Sequence, residues 1–178
     1  MLERYTKENV HASCKIIAPE FGFDPDLIFA VCLQEGAKGK DGSFSPDIAR
    51  LEQGYYRKYV ESQNELATTS EILLSASYGI MQLMGLSLKE AGYFQWYFDS
   101  RPQGLKDLLK YPFSQYAVPS ALDFYCVNLD LMIRWGCIWM DKKRKLAKGN
   151  ERTMLKFWNG SSTYPDEVYE KLKIIKAL

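Results

Sequence analysis

The chain has 178 residues, a size that favours one compact domain over residues 1–178. Its 23 basic and 22 acidic side chains leave a formal net charge of +1, which argues against nucleic acid as a partner and favours a neutral or locally charged substrate. No apolar run reaches the ~20 residues of a membrane span, and charges throughout residues 1–30 interrupt the apolar core of a signal peptide, so we expect synthesis in the cytoplasm without stable membrane insertion.

Apolar residues recur at helical spacing along most of the chain, and alternating strand-like runs are hard to find. The predicted class is therefore mainly α. A first helix is expected from about Thr6, as its N-cap, to about Phe21, and Gly22 ends it. The next start is clearer, because Asp24 can cap the exposed amides and Pro25 suits the first helical position.

Glu35 lies at the end of this second, largely apolar helix, and Gly36 stops it. Partial shielding from water disfavours a carboxylate, so a glutamate at this position could have the raised pKa that a general acid needs at neutral pH. The alternative is an ordinary exposed glutamate in a last helical turn. Glu35 is a candidate catalytic acid that needs support from other segments.

Residues 36–76 resemble an insertion between better-defined elements, with a tyrosine-rich helix predicted over Ile48–Gln63. Ser75–Gly79 is predicted to form a tight loop that opens a short apolar helix from Ile80 to about Ala91, which Gly92 closes.

A turn-rich region with three prolines covers residues 102–119, and the longest helix is predicted after it, from about Ser120 to Ala147. Its basic run at 142–145 is interpreted as a solvated helix end, with contact to an anionic polymer as the alternative. Two more helices are predicted over about Glu151–Trp158 and Asp166–Ala177.

No metal and no cofactor are predicted. The four cysteines match no close-paired metal motif and are expected to be reduced and mostly buried. The single histidine, His11, argues against zinc, and neither a calcium loop nor a phosphate-binding glycine motif occurs. The aromatic content of 14% suits binding to sugar faces, although Trp135 and Trp139 are expected to pack in a helix core.

Residues 77–85, Ser-Tyr-Gly-Ile-Met-Gln-Leu-Met-Gly, form a second candidate site. Gly79 allows close backbone approach, the Gln82 side chain can bind a sugar amide or hydroxyl, and Met81 can form an adaptable apolar wall. The alternative is that the methionines belong to the core.

Three separated segments together resemble the soluble lytic transglycosylase domain of the lysozyme-like superfamily. The helix ending in Glu35 is followed by S-x-G-x-M-Q-L at residues 77–83, and then by an aromatic-Asn-Gly motif at 158–160 with Tyr164 and Val168 after it. The similarity extends over nearly the full chain. The segment 50–57, R-L-E-Q-G-Y-Y-R, is similar to one found in small phage and prophage members.

The resemblance implies a mainly α, goose-type-lysozyme-like single domain with a groove between helices, in which Glu35 is the catalytic acid and base. Trp158 stands where most members have tyrosine, so a required hydroxyl would come from Tyr164 or Tyr78. The residues assigned to substrate binding are Ser77, Tyr78, Gly79, Met81, Gln82, Asn159 and Tyr164.

The implied activity is that of a monomeric enzyme on the peptidoglycan glycan strand of the periplasm or cell wall. A phage-encoded or virion-associated protein fits this activity, and so does one that acts in a bacterium's own wall assembly. The enzyme would cut the β-1,4 bond between N-acetylmuramic acid and N-acetylglucosamine and form a 1,6-anhydro product. One alternative is a muramidase that hydrolyses this bond, with Glu52 or Asp41 placing the water, although Glu52 is also well spaced for an ion pair with Arg50. Another is a non-catalytic glycan-binding virion protein.

Overall fold

The computed structural model describes residues 5–36, 43–44, 49–52 and 69–177. These residues are mainly helical, which confirms the predicted class. The helices are α1 (Lys7–Ile17), a 3₁₀ turn (Ala18–Phe21), α2 (Pro25–Gly36), α3 (Thr69–Leu74), α4 (Gly85–Ala91), α5 (Tyr93–Asp99), α6 (Gln103–Leu109), α7 (Ala117–Cys126), α8 (Leu129–Leu146), α9 (Glu151–Asn159) and α10 (Tyr164–Lys176). The strands are β1 (Ala49–Leu51), β2 (Ala76–Tyr78) and β3 (Leu83–Met84).

The first two helices begin where local chemistry predicts. The Thr6 side chain accepts a hydrogen bond from the amide of Asn9 at 3.2 Å, so Thr6 is the N-cap of α1. The Asp24 carboxylate accepts from the amide of Asp26 at 2.9 Å ahead of α2. Gly22 separates the two helices in a left-handed conformation, with φ of 68°.

Helix α2 lies at the centre of the core. Its residues from Leu27 to Cys32 are all buried, and α1 and α10 pack against it. Helix α8 packs on α1 and on α9. Because α2 is covered along most of its length, the direction in which its last turn projects Glu35 is fixed by the surrounding helices.

The segment 76–84 forms strands and turns, so the helix predicted from Ile80 is wrong over its first five residues. Strand β2 pairs antiparallel with β1 and with β3, and Ser77 lies opposite both Arg50 and Met84. Gln82 has a positive φ of 47°, which helical backbone does not allow. The helix, α4, starts only at Gly85.

The long helix predicted over Ser120–Ala147 is two helices, α7 and α8. The Asn128 side chain accepts from the amide of Leu131 at 3.1 Å, which makes it the N-cap of a new helix. Residues 93–109, between the predicted helices, also contain α5 and α6. The last two predicted helices are confirmed as α9 and α10.

Most of the helix predicted over Ile48–Gln63 lies outside the described residues; its described part, around β1, is extended. Among the described residues, no helix is long and apolar enough to cross a membrane.

Candidate functional site

A cavity of about 760 Å³ opens between α2, the sheet, α4, α8 and the end of α9. Five candidate residues from the sequence line it, and they come from segments far apart in the chain. These residues are Glu35, Glu52, Ser77, Gln82 and Asn159. A volume of this size is typical of a small-molecule site.

Glu35 enters the cavity from the last turn of α2, where it is partly exposed. The amide nitrogen Nδ2 of Asn159 lies 3.5 Å from Glu35 Oε1, at the outer limit of a hydrogen bond. Asn159 is the last residue of α9, and Gly160 follows in a left-handed conformation that ends the helix. The aromatic-Asn-Gly motif thus brings an amide donor to the candidate acid.

Tyr164 lies behind Glu35. Its side chain is buried, and burial together with the nearby Glu35 carboxylate raises the pKa of the phenol, which therefore keeps its proton. Among the described residues, none lies in full hydrogen-bond geometry with the hydroxyl group of Tyr164. The protonated phenol thus lies close enough to the Glu35 carboxylate for the two groups to interact.

Gly36 sets how closely α2 approaches the 77–82 segment. A Cβ atom on Gly36 would lie 2.3 Å from the carbonyl oxygen of Ile80, closer than real Cβ atoms come to backbone. Only glycine permits this contact, which holds Glu35 beside the turn that carries Gln82.

Ser77 is at the centre of a polar network on the sheet. Its Oγ lies 3.1 Å from Glu52 Oε1 and 3.3 Å from Gln82 Oε1, and its one proton can serve only one acceptor at a time. Gln82 Nε2 donates to the carbonyl of Gly79 at 2.7 Å. These contacts fix the two side chains at the cavity wall.

Glu52 forms the ion pair anticipated from its spacing to Arg50. Arg50 Nη2 lies 2.9 Å from Glu52 Oε1, and its Nε donates to the same oxygen at 3.0 Å. The arginine side chain is 71% exposed and the glutamate 27%. Glu52 therefore lies in the cavity as a carboxylate that Arg50 and Ser77 already bind.

Four residues predicted to bind substrate do not line the cavity, and this corrects the expectation: they are Tyr78, Gly79, Met81 and the Tyr164 described above. Met81 is fully buried and fits a notch at Gly136 of α8, where a Cβ would lie 2.1 Å from its sulfur. The Tyr78 hydroxyl donates to the carbonyl of Leu73 at 2.6 Å. Gly79, with φ of 70°, packs against Met132. Each supports the wall from behind.

The structure adds cavity residues that sequence reasoning missed. Trp139 and Lys143 of α8 line one wall, and Lys89 and Glu90 of α4 lie there too. Trp139 is buried to 9% exposure, as expected of a core residue, yet it reaches the cavity. The signal available in sequence was the spacing of 139 and 143, because residues four apart share one helix face.

No group of three metal-ligating side chains occurs among the described residues. Cys14, Cys32 and Cys137 are buried free thiols, and burial raises the pKa of Cys32 and Cys137. Asp41, the other possible second carboxylate, lies outside the described residues. Comparison with protein-family models, curated proteins and solved structures gives no match to this chain.

Proposed function

We propose that this chain is a lytic transglycosylase with a lysozyme-like fold, which cuts the β-1,4 bond after N-acetylmuramic acid in peptidoglycan. The observation that carries the proposal is that Glu35, the pair Ser77 and Gln82, and Asn159 line one cavity. These residues belong to the three segments whose order resembles the transglycosylases.

In the proposed reaction Glu35 donates its proton to the glycosidic oxygen, so that N-acetylglucosamine leaves with a free 4-hydroxyl. The N-acetyl group of the muramic acid stabilises the positive charge that develops at C1. The Glu35 carboxylate then takes the proton of the C6 hydroxyl while O6 bonds to C1. The product is a 1,6-anhydro sugar, and no water is consumed.

Glu35 must change between acid and base in this cycle, and two neighbours are suited to support it. The Asn159 amide is a donor that favours the carboxylate form. The buried phenol of Tyr164 is also suited to donate to the carboxylate, because Glu35 is among the groups that raise the pKa of this phenol. Tyr164 thus supplies the hydroxyl that Trp158 lacks.

Replacement of Glu35 by glutamine tests the role of the acid. Glu35→Gln keeps the shape of the side chain but has no proton to donate, so we expect release of anhydro-muropeptides to fall by at least about 100-fold. Mass analysis of a peptidoglycan digest measures this directly, because anhydro ends are lighter by one water than reducing ends. Binding to insoluble peptidoglycan should persist.

Glu170→Gln is the matched control, since Glu170 lies on α10 outside this cavity and pairs only with Lys173 among the described residues. We expect it to retain activity. If the parent protein sediments with peptidoglycan, releases no products and is unchanged by Glu35→Gln, it is a glycan-binding protein and the enzyme proposal is wrong.

A muramidase is the second candidate, and the observation that favours it is that Glu52 and Glu71 line the same cavity as Glu35. A second carboxylate could activate water or attack C1. The Arg50 pair and the Ser77 contact argue for a supporting role of Glu52. Reducing ends in the digest, lost in Glu52→Gln or Glu71→Gln, would instead establish hydrolysis.

A further inference from the structure

The wall of the cavity formed by α4 and α8 carries positive charge that the proposed chemistry does not use. Lys143 and Lys89 both line this wall. Neither ammonium has a carboxylate within 4 Å among the described residues, since neither occurs in any ion pair found there. The Lys89 ammonium lies 4.9 Å from the centroid of the Phe113 ring, so in the described part of the chain aromatic rings and not carboxylates contact these two cations.

Lys143 is held in place by an aromatic ring. Its Nζ lies 4.2 Å from the centroid of the Trp139 ring, a cation–π contact, so this face of the indole is covered by the lysine and is not open for stacking on a sugar. Burial lowers the pKa of Lys143, and the carboxylate of Glu90 opposes that shift without forming an ion pair. A partly desolvated cation of this kind gains from a bound anion.

The neighbouring cations have other partners, which sets Lys143 apart within the basic run 142–145. The Lys142 ammonium donates to the carbonyl of Glu90 and lies 5.7 Å from the centroid of the Trp139 ring, farther away than Lys143. Arg144 donates to the carbonyl of Phe21 at 2.9 Å, and Lys145 pairs with Asp141 at 2.7 Å. Lys143 is the member of the run that lines the cavity.

We propose that Lys143, fixed by Trp139 and assisted by Lys89, binds a carboxylate of the glycan strand while the sugar chain lies against Glu35. This inference rests on the proposed function and names a charged subsite of the same cavity. Two sources supply the carboxylate in peptidoglycan: the lactyl group of peptide-free N-acetylmuramic acid, and the acidic residues of an attached stem peptide. A neutral glycan lacks both.

Binding measurements in the Glu35→Gln background test the subsite, because strands remain intact during titration. Three soluble probes are compared: strands with stem peptides, peptide-free strands with free lactyl carboxylates, and the latter strands after amidation of those carboxylates. We expect Lys143→Gln to weaken binding of a carboxylate-bearing strand by about fivefold, the upper range for a partly exposed ion pair. Binding of the amidated strand should change less than about twofold.

Lys142→Gln is the matched control. It removes the same charge from the neighbouring residue, whose side chain does not line the cavity. The Lys142→Gln variant should still prefer strands that bear carboxylates. Lys143→Arg should keep most of the preference that Lys143→Gln loses. A loss confined to peptide-bearing strands identifies the stem peptide as the ligand; an equal loss on peptide-free strands identifies the lactyl group.

These measurements distinguish failure of the subsite from failure of the proposed function. If the protein binds all three probes and Lys143→Gln affects them equally, the subsite is wrong and the proposed function stands. If the protein neither binds nor cleaves any of the strands, both proposals are wrong.

Discussion

At the level of single residues, Gly36 couples the position of Glu35 to the turn at residues 79–82. The missing side chain lets the end of α2 contact the backbone of Ile80, and that contact cannot relax by a rotamer change because the atom concerned is a carbonyl oxygen. The direction of the Glu35 carboxyl group therefore depends on its neighbour as much as on its own helix.

Gly36→Ala should accordingly lower both stability and activity. The added methyl group would lie 2.3 Å from the Ile80 oxygen, and relief of such overpacking costs about 1–3 kcal/mol. If Glu35 is the general acid of the proposed reaction, its displacement should lower the rate of anhydro-muropeptide release by about tenfold to a hundredfold. Urea unfolding and product release by mass analysis measure the two effects.

Gly104→Ala is the appropriate comparison, because Gly104 also lies in a helix but a Cβ there meets nothing within 4 Å. Its stability should change by no more than about 1 kcal/mol, with full activity. Unchanged stability and activity in Gly36→Ala would show that α2 and the turn are not coupled through this contact.

Part of the site could be predicted at this scale, but only by combining segments. Glu35 alone was a weak candidate; the order of the three segments that resemble the transglycosylases selected Glu35, Ser77, Gln82 and Asn159, and all four line the cavity. The Lys143 position was not predictable from its basic run, since only the packing of α8 distinguishes the cation that faces the cavity.

At the level of elements, the segment 76–84 is held to the helices by Met81. The side chain occupies the notch left by Gly136 in α8, and the three atoms nearest to a Cβ at Gly136 all belong to Met81. The Met81 side chain in the Gly136 notch thus attaches the wall that presents Ser77 and Gln82 to α8, beside the contact of Gly79 with Met132.

A double-mutant cycle measures this attachment. Met81→Ala should destabilise by about 2–5 kcal/mol by leaving a cavity, and Gly136→Ala by about 1–3 kcal/mol by overpacking. Together they should cost less than the sum by at least about 0.5 kcal/mol, because the new methyl group occupies space that the methionine vacates. Urea unfolding of the four proteins gives the coupling energy.

Leu109→Ala combined with Gly136→Ala serves as the control cycle. Leu109 is also a buried apolar residue, at 4% exposure, but lies on α6. The two effects should add within about 0.5 kcal/mol. If the effects of Met81→Ala and Gly136→Ala also add, the Met81 side chain does not occupy the space beside Gly136.

The first two helix starts were well predicted because capping is local: the side chains of Thr6 and Asp24 accept from amides two or three residues away. The break at Asn128 was missed because apolar spacing continues across it, and α7 and α8 pack against each other. The sheet was missed because its register joins Arg50 to Ser77 and Ser77 to Met84, so distant segments decide it.

At the level of the whole molecule, ion pairs connect different elements of the fold. Arg134 of α8 binds Glu20 of the 3₁₀ turn at 2.7 Å, and Arg152 of α9 binds Asp166 of α10 at 2.7 Å. Lys176, the last residue of α10, binds Asp24 before α2 at 2.8 Å. In each pair the cation lowers the pKa of the carboxyl group.

These pairs predict a loss of stability in acid. A carboxyl group whose folded pKa lies below its unfolded value stabilises the protein fully above the unfolded pKa, about 4, and loses that contribution as pH falls through the folded pKa. The Asp24 pair tests this best. Asp24→Asn keeps an oxygen that can accept from the amide of Asp26 but removes the charge that binds Lys176.

At pH 7, Asp24→Asn should be less stable than the parent by under about 1 kcal/mol, since solvent screens a partly exposed pair. The difference should shrink as pH falls below about 4, where the parent carboxylate also becomes neutral. Lys176→Gln removes the other partner and should follow the same pH course. Urea unfolding between pH 7 and pH 3 measures both, and a difference that stays constant over this range would show that the pair does not connect α10 to α2 energetically.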